Sequence, residues 1–167
     1  MEIQVQPDGF VEWAEQRVRC ALGRSGVALN KREGDGATPA GRFALREVMY
    51  RADRLEPPPP PLPCRPIAPD MGWSDDPTDA AYNTLVFRPH AGGHEELWRD
   101  DAAYDIIVVL GYNDRATKPG LGSAIFMHVA KPGYPPTEGC VALARNDLLA
   151  LLADCEAETF VTINPPA

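Results

Sequence analysis

The sequence predicts a mainly β fold of mixed sheets, with long loops and one or two short helices. Most apolar segments are short and bounded by turn residues, and only one segment has the leucine spacing of a good helix. Strands do not alternate with helices, which excludes a doubly wound parallel sheet. With 167 residues, of which 44% are hydrophobic, the chain suits one domain with a substantial core, and we expect residues 1–167 to form it.

The N-terminal part of the chain alternates apolar and polar residues in the manner of strands. Residues 2–6 and 10–22 are predicted as two strands joined by the turn Pro7–Gly9. The sequence Trp-Ala-Glu-Gln-Arg inside the second segment is also compatible with a helix. Further strands are predicted at 27–30 and 43–50.

Residues 31–43 form a glycine-rich segment, with Gly34, Gly36 and Gly41 inside eight positions. This spacing indicates unusual backbone angles or a close approach of two backbones. No Gly-Lys-Ser/Thr ends the segment, so it does not fit a phosphate-binding P-loop. It is either a tight connection between strands or a functional loop at the rim of a site.

Residues 57–69 contain eight prolines in thirteen positions. Because proline lacks an N–H donor, this segment cannot be a central strand or a helix, and a stiff polyproline-like excursion is expected. It is either an insertion packed on the surface or a ligand for a proline-reading module. Residues 70–83 have loop composition, and a connection as long as 57–83 is typical of a lid or a site wall.

The C-terminal half is predicted to contain four strands, one helix and one single helical turn. The strands are residues 84–88, 104–110, 123–130 and 160–163, the helix is 147–155 with Asn146 as its cap, and the helical turn is 95–98. The apolar run at 104–110 is nearly continuous, which predicts a central strand buried on both faces.

The bulk properties exclude several functional classes. A net charge of −8 opposes nucleic-acid binding, and no apolar run approaches the ~20 residues of a membrane span. Residues 1–4 lack the features of a signal peptide, so we expect the chain as written to be cytoplasmic, or periplasmic if its true start lies upstream. We expect a monomer, and four thiols without a zinc ribbon, since no Cys-x-x-C pair occurs.

Cys140 and His128 carry the chemistry that the sequence suggests. Cys140 follows a glycine, and His128 lies on an apolar strand twelve residues earlier, beyond a proline-rich loop. A strand–loop–strand return brings such a pair together, and the pairing would lower the thiol pKa. From composition alone, however, both residues are compatible with simple packing roles in the core.

Two short motifs decide between these interpretations. The segments Phe126–His128 and Thr137–Val141 resemble the histidine strand and the Ser/Thr-x-Gly-Cys motif of the L,D-transpeptidase catalytic domain, the YkuD-like family. Residues 36–43 are similar to the upstream Thr-Pro-x-Gly-x-Phe stretch of this family. Residues 111–113 also fit the branch of the family that has a short loop between the histidine and the cysteine. The resemblance spans about Leu29 to Leu152 and implies an L,D-transpeptidase-like β-sandwich.

The resemblance also implies roles for individual residues. Cys140 would be the nucleophile and His128 its general base and acid, oriented by a backbone carbonyl near Val129. The N–H groups of Gly139 and Cys140 would shape an oxyanion hole. Thr137 would lie at the substrate.

Further substrate-binding residues are expected around this centre. Many family members have histidine at the position of Glu138 and arginine at that of Ala142. Either Arg145 substitutes for this arginine or the substrate differs. Tyr112 and Asn113 follow a buried strand and either line the cleft or only form a turn.

The implied substrates are peptidoglycan stem peptides or muropeptides, and no metal or organic cofactor is required. Cys140 would attack the carbonyl of a diamino acid, and a thioester would then react with an amine or with water. The alternatives are therefore an L,D-transpeptidase, an L,D-carboxypeptidase, and a non-catalytic peptidoglycan-binding module on the same fold. His90 and His94 are either exposed loop histidines or residues that reach the site.

Overall fold

The computed structural model describes residues 1–59 and 61–167 and contains fourteen strands and one helix in that part of the chain. The strands are β1 (Glu2–Gln6), β2 (Phe10–Trp13), β3 (Gln16–Ala21), β4 (Val27–Ala28), β5 (Thr38–Pro39), β6 (Gly41–Tyr50), β7 (Cys64–Pro66), β8 (Met71–Ser74), β9 (Leu85–Phe87), β10 (His94–Glu96), β11 (Ile106–Leu110), β12 (Phe126–Val129), β13 (Val141–Leu143) and β14 (Phe160–Ile163). The helix is α1 (Arg145–Asp154). The fold is mainly β with mixed sheets, as predicted.

Two layers of strands share β3 and β6. The first layer contains β1, β2 and β14, and the second contains β11, β12 and β13. The first half of β6 pairs with β14 and its second half pairs with β11, while β3 joins β2 to β13. Strands that pass from one sheet to the other form the corners of a sandwich. Parallel pairs, β1 with β14 and β12 with β13, lie beside antiparallel ones.

Strand β11 separates two hydrophobic clusters. Ile106, Val108 and Leu110 contribute to the cluster between the two layers, which also packs against α1, whereas Ile107 and Val109 contribute to a second cluster. Successive side chains of a strand point to opposite faces of the sheet. The prediction of a central strand buried on both faces is therefore confirmed, and its two faces define an inner and an outer side of the second layer.

A small sheet covers the outer side of the second layer. It has the order β10-β8-β9, and Trp73 of β8 packs edge-on against Phe126 with ring centroids 5.2 Å apart. Two predictions are wrong here, because 71–74 is a strand instead of a loop and 94–96 is a strand where a helical turn was expected. Cross-strand backbone hydrogen bonds stabilise both segments, and local composition carries no signal for them.

Other boundaries also differ from the prediction. Residues 10–22 form two antiparallel strands, β2 and β3, because the chain reverses at Ala14, which has a φ of 46°. The helix begins at Arg145, with Ala144 at its N-cap and no side-chain cap, so Asn146 is not the cap. Tertiary contacts of the buried Leu148, Leu151 and Leu152 replace the missing cap as the source of helix stability.

The proline-rich segment contributes one short strand. Residues 64–66 form β7, which pairs in parallel with β6 at the edge of the large sheet. An edge position tolerates proline because one side of the strand needs no ladder hydrogen bonds. Pro60 lies outside the described residues. Among the described helices, none is long and apolar enough to cross a membrane.

Candidate active site

His128 lies on the outer side of the second layer, facing a cavity. It is in β12 and is 8% exposed, and its neighbours in sequence, Met127 and Val129, point into the inner cluster. The Nδ1 atom lies 3.0 Å from the carbonyl oxygen of Val129. Because a carbonyl only accepts hydrogen bonds, this contact selects the tautomer with the proton on Nδ1 and leaves Nε2 as a proton acceptor. Burial lowers the pKa of His128, which keeps the imidazole neutral near pH 7.

Cys140 shares this side of the sheet with His128. The parallel register pairs Met127 with Val141 and His128 with Ala142, and both Met127 and Val141 point inward. Cys140, immediately before β13, therefore points outward, as His128 does. The thiol is 7% exposed and donates to the carbonyl of Ala124, with the two atoms 3.3 Å apart.

The expectation of a lowered thiol pKa is wrong. Burial raises the pKa of Cys140 to about 12, and the negative charge of Glu95 adds to the effect. Desolvation disfavours the thiolate more strongly than the surrounding positive charge favours it. The resting cavity therefore contains a protonated thiol and a neutral imidazole.

The turn that presents Cys140 depends on Thr137 and Gly139. The Thr137 Oγ1 accepts a hydrogen bond from the Gly139 N–H at 3.2 Å and donates to the Cys140 carbonyl at 2.7 Å. Gly139 has a φ of 136°, and a β-carbon there would lie 2.7 Å from the carbonyl oxygen of Ala37. Only glycine allows the two backbones to come this close, so the cysteine turn packs directly against the glycine-rich segment.

A cavity of about 470 Å³ opens in front of Cys140. It brings together four of the sequence-predicted residues, Cys140, His128, Thr137 and Glu138. Glu138 lies at the exposed edge of this cavity, where Arg24 donates to it at 3.0 Å. Lys31, Glu33 and Gly34 also line the cavity, so the glycine-rich segment forms part of the rim.

Three predicted substrate-binding residues lie away from the cavity wall. The Tyr112 hydroxyl donates to the Leu121 carbonyl, and the Asn113 amide donates to the carbonyls of Lys118 and Gly122, so both close a turn. Arg145 lies at the start of α1 with its guanidinium 3.4 Å from Asp105, so it does not take the place of the arginine expected near Ala142.

The two other histidines have structural partners. The Nε2 atom of His90 lies 2.6 Å from Asp79, and Nδ1 of His94 lies 2.8 Å from the Gly92 carbonyl. Both are half-buried, and neither lines the cavity. They stabilise the loop before β10 instead of reaching Cys140.

Asn83 was not predicted as a site residue, yet it supports the wall behind the thiol. Its Oδ1 accepts hydrogen bonds from the Trp73 indole and from the Ala124 N–H, at 3.0 and 3.1 Å. Ala124 has a φ of 52°, a conformation that costs a non-glycine residue free energy. The bond from the Ala124 N–H to Asn83 thus holds a strained residue whose carbonyl receives the Cys140 thiol. An asparagine in a Gly/Asp/Pro-rich loop gives no sequence signal for this role.

Glu95 and Tyr104 were also missed. Both line the cavity, and the Tyr104 hydroxyl donates to Oε1 of Glu95. The Tyr104 ring packs edge-on against the His128 ring, with centroids 5.3 Å apart. Glu95 lies 45 positions before Cys140, so no local motif links the two.

The described residues contain no group of three or more His, Cys, Asp or Glu side chains placed to hold a metal ion. All four cysteines are free thiols, as expected, and Cys20, Cys140 and Cys155 are buried. The side chains that line the cavity include the Cys140 thiol, the His128 imidazole and several charged groups.

Comparison with known proteins gives a family match over nearly the whole chain. The model of the family described as "YkuD: L,D-transpeptidase catalytic domain" matches residues 6–163. No curated protein matches the chain.

Two solved structures are similar to this chain. The helical cell shape determining protein Pgp2 from Campylobacter jejuni has a TM-score of 0.50 at 13% identity, over 99% of this chain and 48% of that one. An L,D-transpeptidase from Mycobacterium smegmatis has a TM-score of 0.43 at 12% identity, over 98% of this chain and 58% of that one. The chain therefore spans about half the length of these structural relatives.

Proposed function

This chain belongs to the YkuD family of L,D-transpeptidase catalytic domains, and we propose that it is a cysteine acyltransferase acting on peptidoglycan stem peptides. One observation carries the proposal. Cys140 and His128 open into the same cavity, with Nδ1 of His128 held by the Val129 carbonyl. Nucleophilic catalysis by cysteine uses a thiol and an imidazole whose orientation is fixed by a third group, and this cavity contains all three.

In the first half-reaction, the sulfur of Cys140 attacks the carbonyl carbon of a diamino acid while Nε2 of His128 takes the thiol proton. The raised pKa of the thiol favours proton transfer coupled to the attack over a standing thiolate–imidazolium pair. His128 then gives the proton to the amine of the terminal D-amino acid, which leaves. A thioester to Cys140 remains.

The oxyanion of the tetrahedral intermediate needs N–H donors. The Gly139 N–H is already engaged by Thr137, which supports the Cys140 N–H as the donor, with Gly139 supplying the backbone geometry. In the second half-reaction, an amine of another stem peptide attacks the thioester carbonyl and gives a crosslink. The C–S bond breaks, and His128 transfers the amine proton to the sulfur of Cys140. Attack by water gives hydrolysis, and the enzyme then acts as an L,D-carboxypeptidase.

Carbapenem acylation tests the nucleophile directly. We expect intact-mass spectrometry to show one covalent adduct on the wild-type protein, none on Cys140→Ala, and one on the control Cys64→Ser, which removes the exposed thiol. An unmodified wild-type protein with Cys140 confirmed reduced contradicts the proposal.

A stem tetrapeptide distinguishes the possible activities. Release of D-alanine with formation of peptide dimers identifies transfer, and release without dimers identifies hydrolysis. If the protein is a non-catalytic binding module, the wild-type protein and Cys140→Ala bind the tetrapeptide equally well, and neither releases D-alanine.

A further inference from the structure

Glu95 lies on the cavity wall formed by the small sheet. Its strand, β10, pairs with β8, which places the Glu95 backbone opposite Trp73. The side chain lines the same cavity as Cys140 and His128. Tyr104 fixes it through the hydroxyl that donates to Oε1, and the Tyr104 ring in turn packs on His128 and Phe126. The Tyr104 hydroxyl therefore positions this carboxylate in the cavity that also contains Cys140 and His128.

Glu95 lacks a cationic partner. Within residues 1–59 and 61–167, no lysine, arginine or histidine nitrogen lies within 4.0 Å of its carboxylate. The nearby guanidinium of Arg99 makes two hydrogen bonds to Asp101, at 2.9 and 2.6 Å. Asp75 and Glu33 add negative charge on the same side of the cavity.

Of the other acidic side chains of the cavity, Glu138 and Glu33 have partners, whereas the Asp75 carboxylate has none among the described residues. Glu138 pairs with Arg24, and Glu33 accepts hydrogen bonds from the hydroxyls of Tyr82 and Ser123. Glu95, by contrast, receives one hydroxyl on Oε1, and none of the described residues donates to Oε2. Every fully buried side-chain oxygen of the described residues has a partner, so Oε2 keeps contact with the cavity.

We propose that Glu95, positioned by Tyr104, is a subsite for a cationic amino group of the substrate. A carboxylate that is positioned by a hydrogen bond, enclosed and without a cation gains a charge-assisted hydrogen bond when an ammonium group enters. The ligand is a peptide with a free primary amine near the carbonyl that Cys140 attacks. This inference rests on the proposed function and names a feature of the substrate that the reaction itself does not require.

The subsite also couples binding to reactivity. The Glu95 charge raises the pKa of the Cys140 thiol, and burial raises the pKa of Glu95 itself. An ammonium group at Glu95 neutralises the charge that opposes thiolate formation. A substrate with the amine therefore makes the thiol easier to deprotonate than one without it.

The test compares two stem tetrapeptides that end in a diamino acid followed by D-alanine. One has a free distal amine, and in the other this amine is acetylated. We expect kcat/KM for D-alanine release by the wild-type enzyme to be at least about tenfold higher for the free amine. In Glu95→Gln, the kcat/KM values for the two peptides should be equal within about twofold. The matched control is Glu96→Gln on the same strand, whose side chain is exposed and pairs with Arg88, and it keeps the wild-type preference.

Two further measurements do not depend on turnover. Titration calorimetry with Cys140→Ala should show weaker binding of the acetylated peptide, and this difference should vanish in Cys140→Ala/Glu95→Gln. In a Cys64→Ser background, alkylation of Cys140 by iodoacetamide should begin at lower pH in Glu95→Gln than in the parent.

A separate variant tests the positioning role of Tyr104. Tyr104→Phe should weaken the preference for the free amine.

The outcomes separate the two proposals. Equal turnover and equal binding of the two peptides by the parent proteins overturn the Glu95 subsite while leaving the acyltransferase intact. Absence of D-alanine release from both peptides, together with absence of a carbapenem adduct, overturns the acyltransferase. The calorimetric comparison then decides the subsite on its own, since unequal binding that depends on Glu95 supports it and equal binding contradicts it.

Discussion

The carbonyl oxygen of Ala37 lies so close to Gly139 that a β-carbon on Gly139 would be 2.7 Å away from it. Gly139→Ala must therefore move either the cysteine turn or the glycine-rich segment, and it also places alanine at a φ of 136°. We expect a loss of about 2–4 kcal/mol in the free energy of unfolding and a much lower rate of carbapenem acylation. Urea denaturation and intact-mass kinetics measure the two effects.

Gly133→Ala is the matched control for this substitution. Gly133 also has a positive φ, 81°, but an added β-carbon there meets no atom within 4 Å. We expect a loss of about 1 kcal/mol, which is the cost of the backbone conformation alone. Equal losses for the two variants would show that the contact with Ala37 is unimportant.

The strained backbone of Ala124 makes a second substitution informative. Glycine adopts a φ of 52° at little cost, so Ala124→Gly should increase the free energy of unfolding by up to about 1 kcal/mol. The carbonyl that receives the Cys140 thiol is then held less firmly. We expect slower acylation despite the higher stability, and faster acylation of this variant would contradict the positioning role of Ala124.

The protonation state of His128 sets the pH dependence of the first half-reaction. In the proposed mechanism the neutral imidazole accepts the thiol proton, and burial lowers the pKa of His128 from 6.5. As the pH falls through this lowered pKa, the imidazole becomes protonated and kcat/KM decreases. We expect activity to be retained at pH 6.5 and lost only below it, and a pH profile whose acidic midpoint lies above 6.5 would be inconsistent with a buried neutral base.

Alkylation should distinguish the exposed cysteine from two of the buried ones. Cys64 is exposed, whereas burial raises the pKa of Cys20 to about 12 and that of Cys155 to about 11. We expect peptide mapping after brief iodoacetamide treatment at pH 7.5 to find Cys64 labelled first and Cys20 and Cys155 unlabelled. Treatment in denaturing urea labels all four and serves as the control. Labelling of Cys20 before Cys64 in the native protein would contradict the buried assignment.

Several features of the fold were predictable because their signals are local. The apolar run at 104–110, the histidine strand and the final strand at 160–163 were recognised from consecutive residues, and β11, β12 and β14 lie within these ranges. The strands β8 and β10 were missed because each is stabilised by pairing with the other across about twenty residues. Neither segment has a strand-like composition of its own.

The sequence by itself determined the mainly β class and the family, and it singled out His128 and Cys140 as candidates, since each depends on short patterns of residue type. Only the tertiary structure decided which other residues face the thiol. It placed Glu95 and Tyr104 on the cavity wall and left Tyr112, Asn113 and Arg145 away from it. Burial in the folded structure also raises the pKa of the Cys140 thiol, whereas the sequence led us to expect a lowered pKa. Burial and electrostatic contact depend on residues distant along the chain, and they exist only after the sheets have paired.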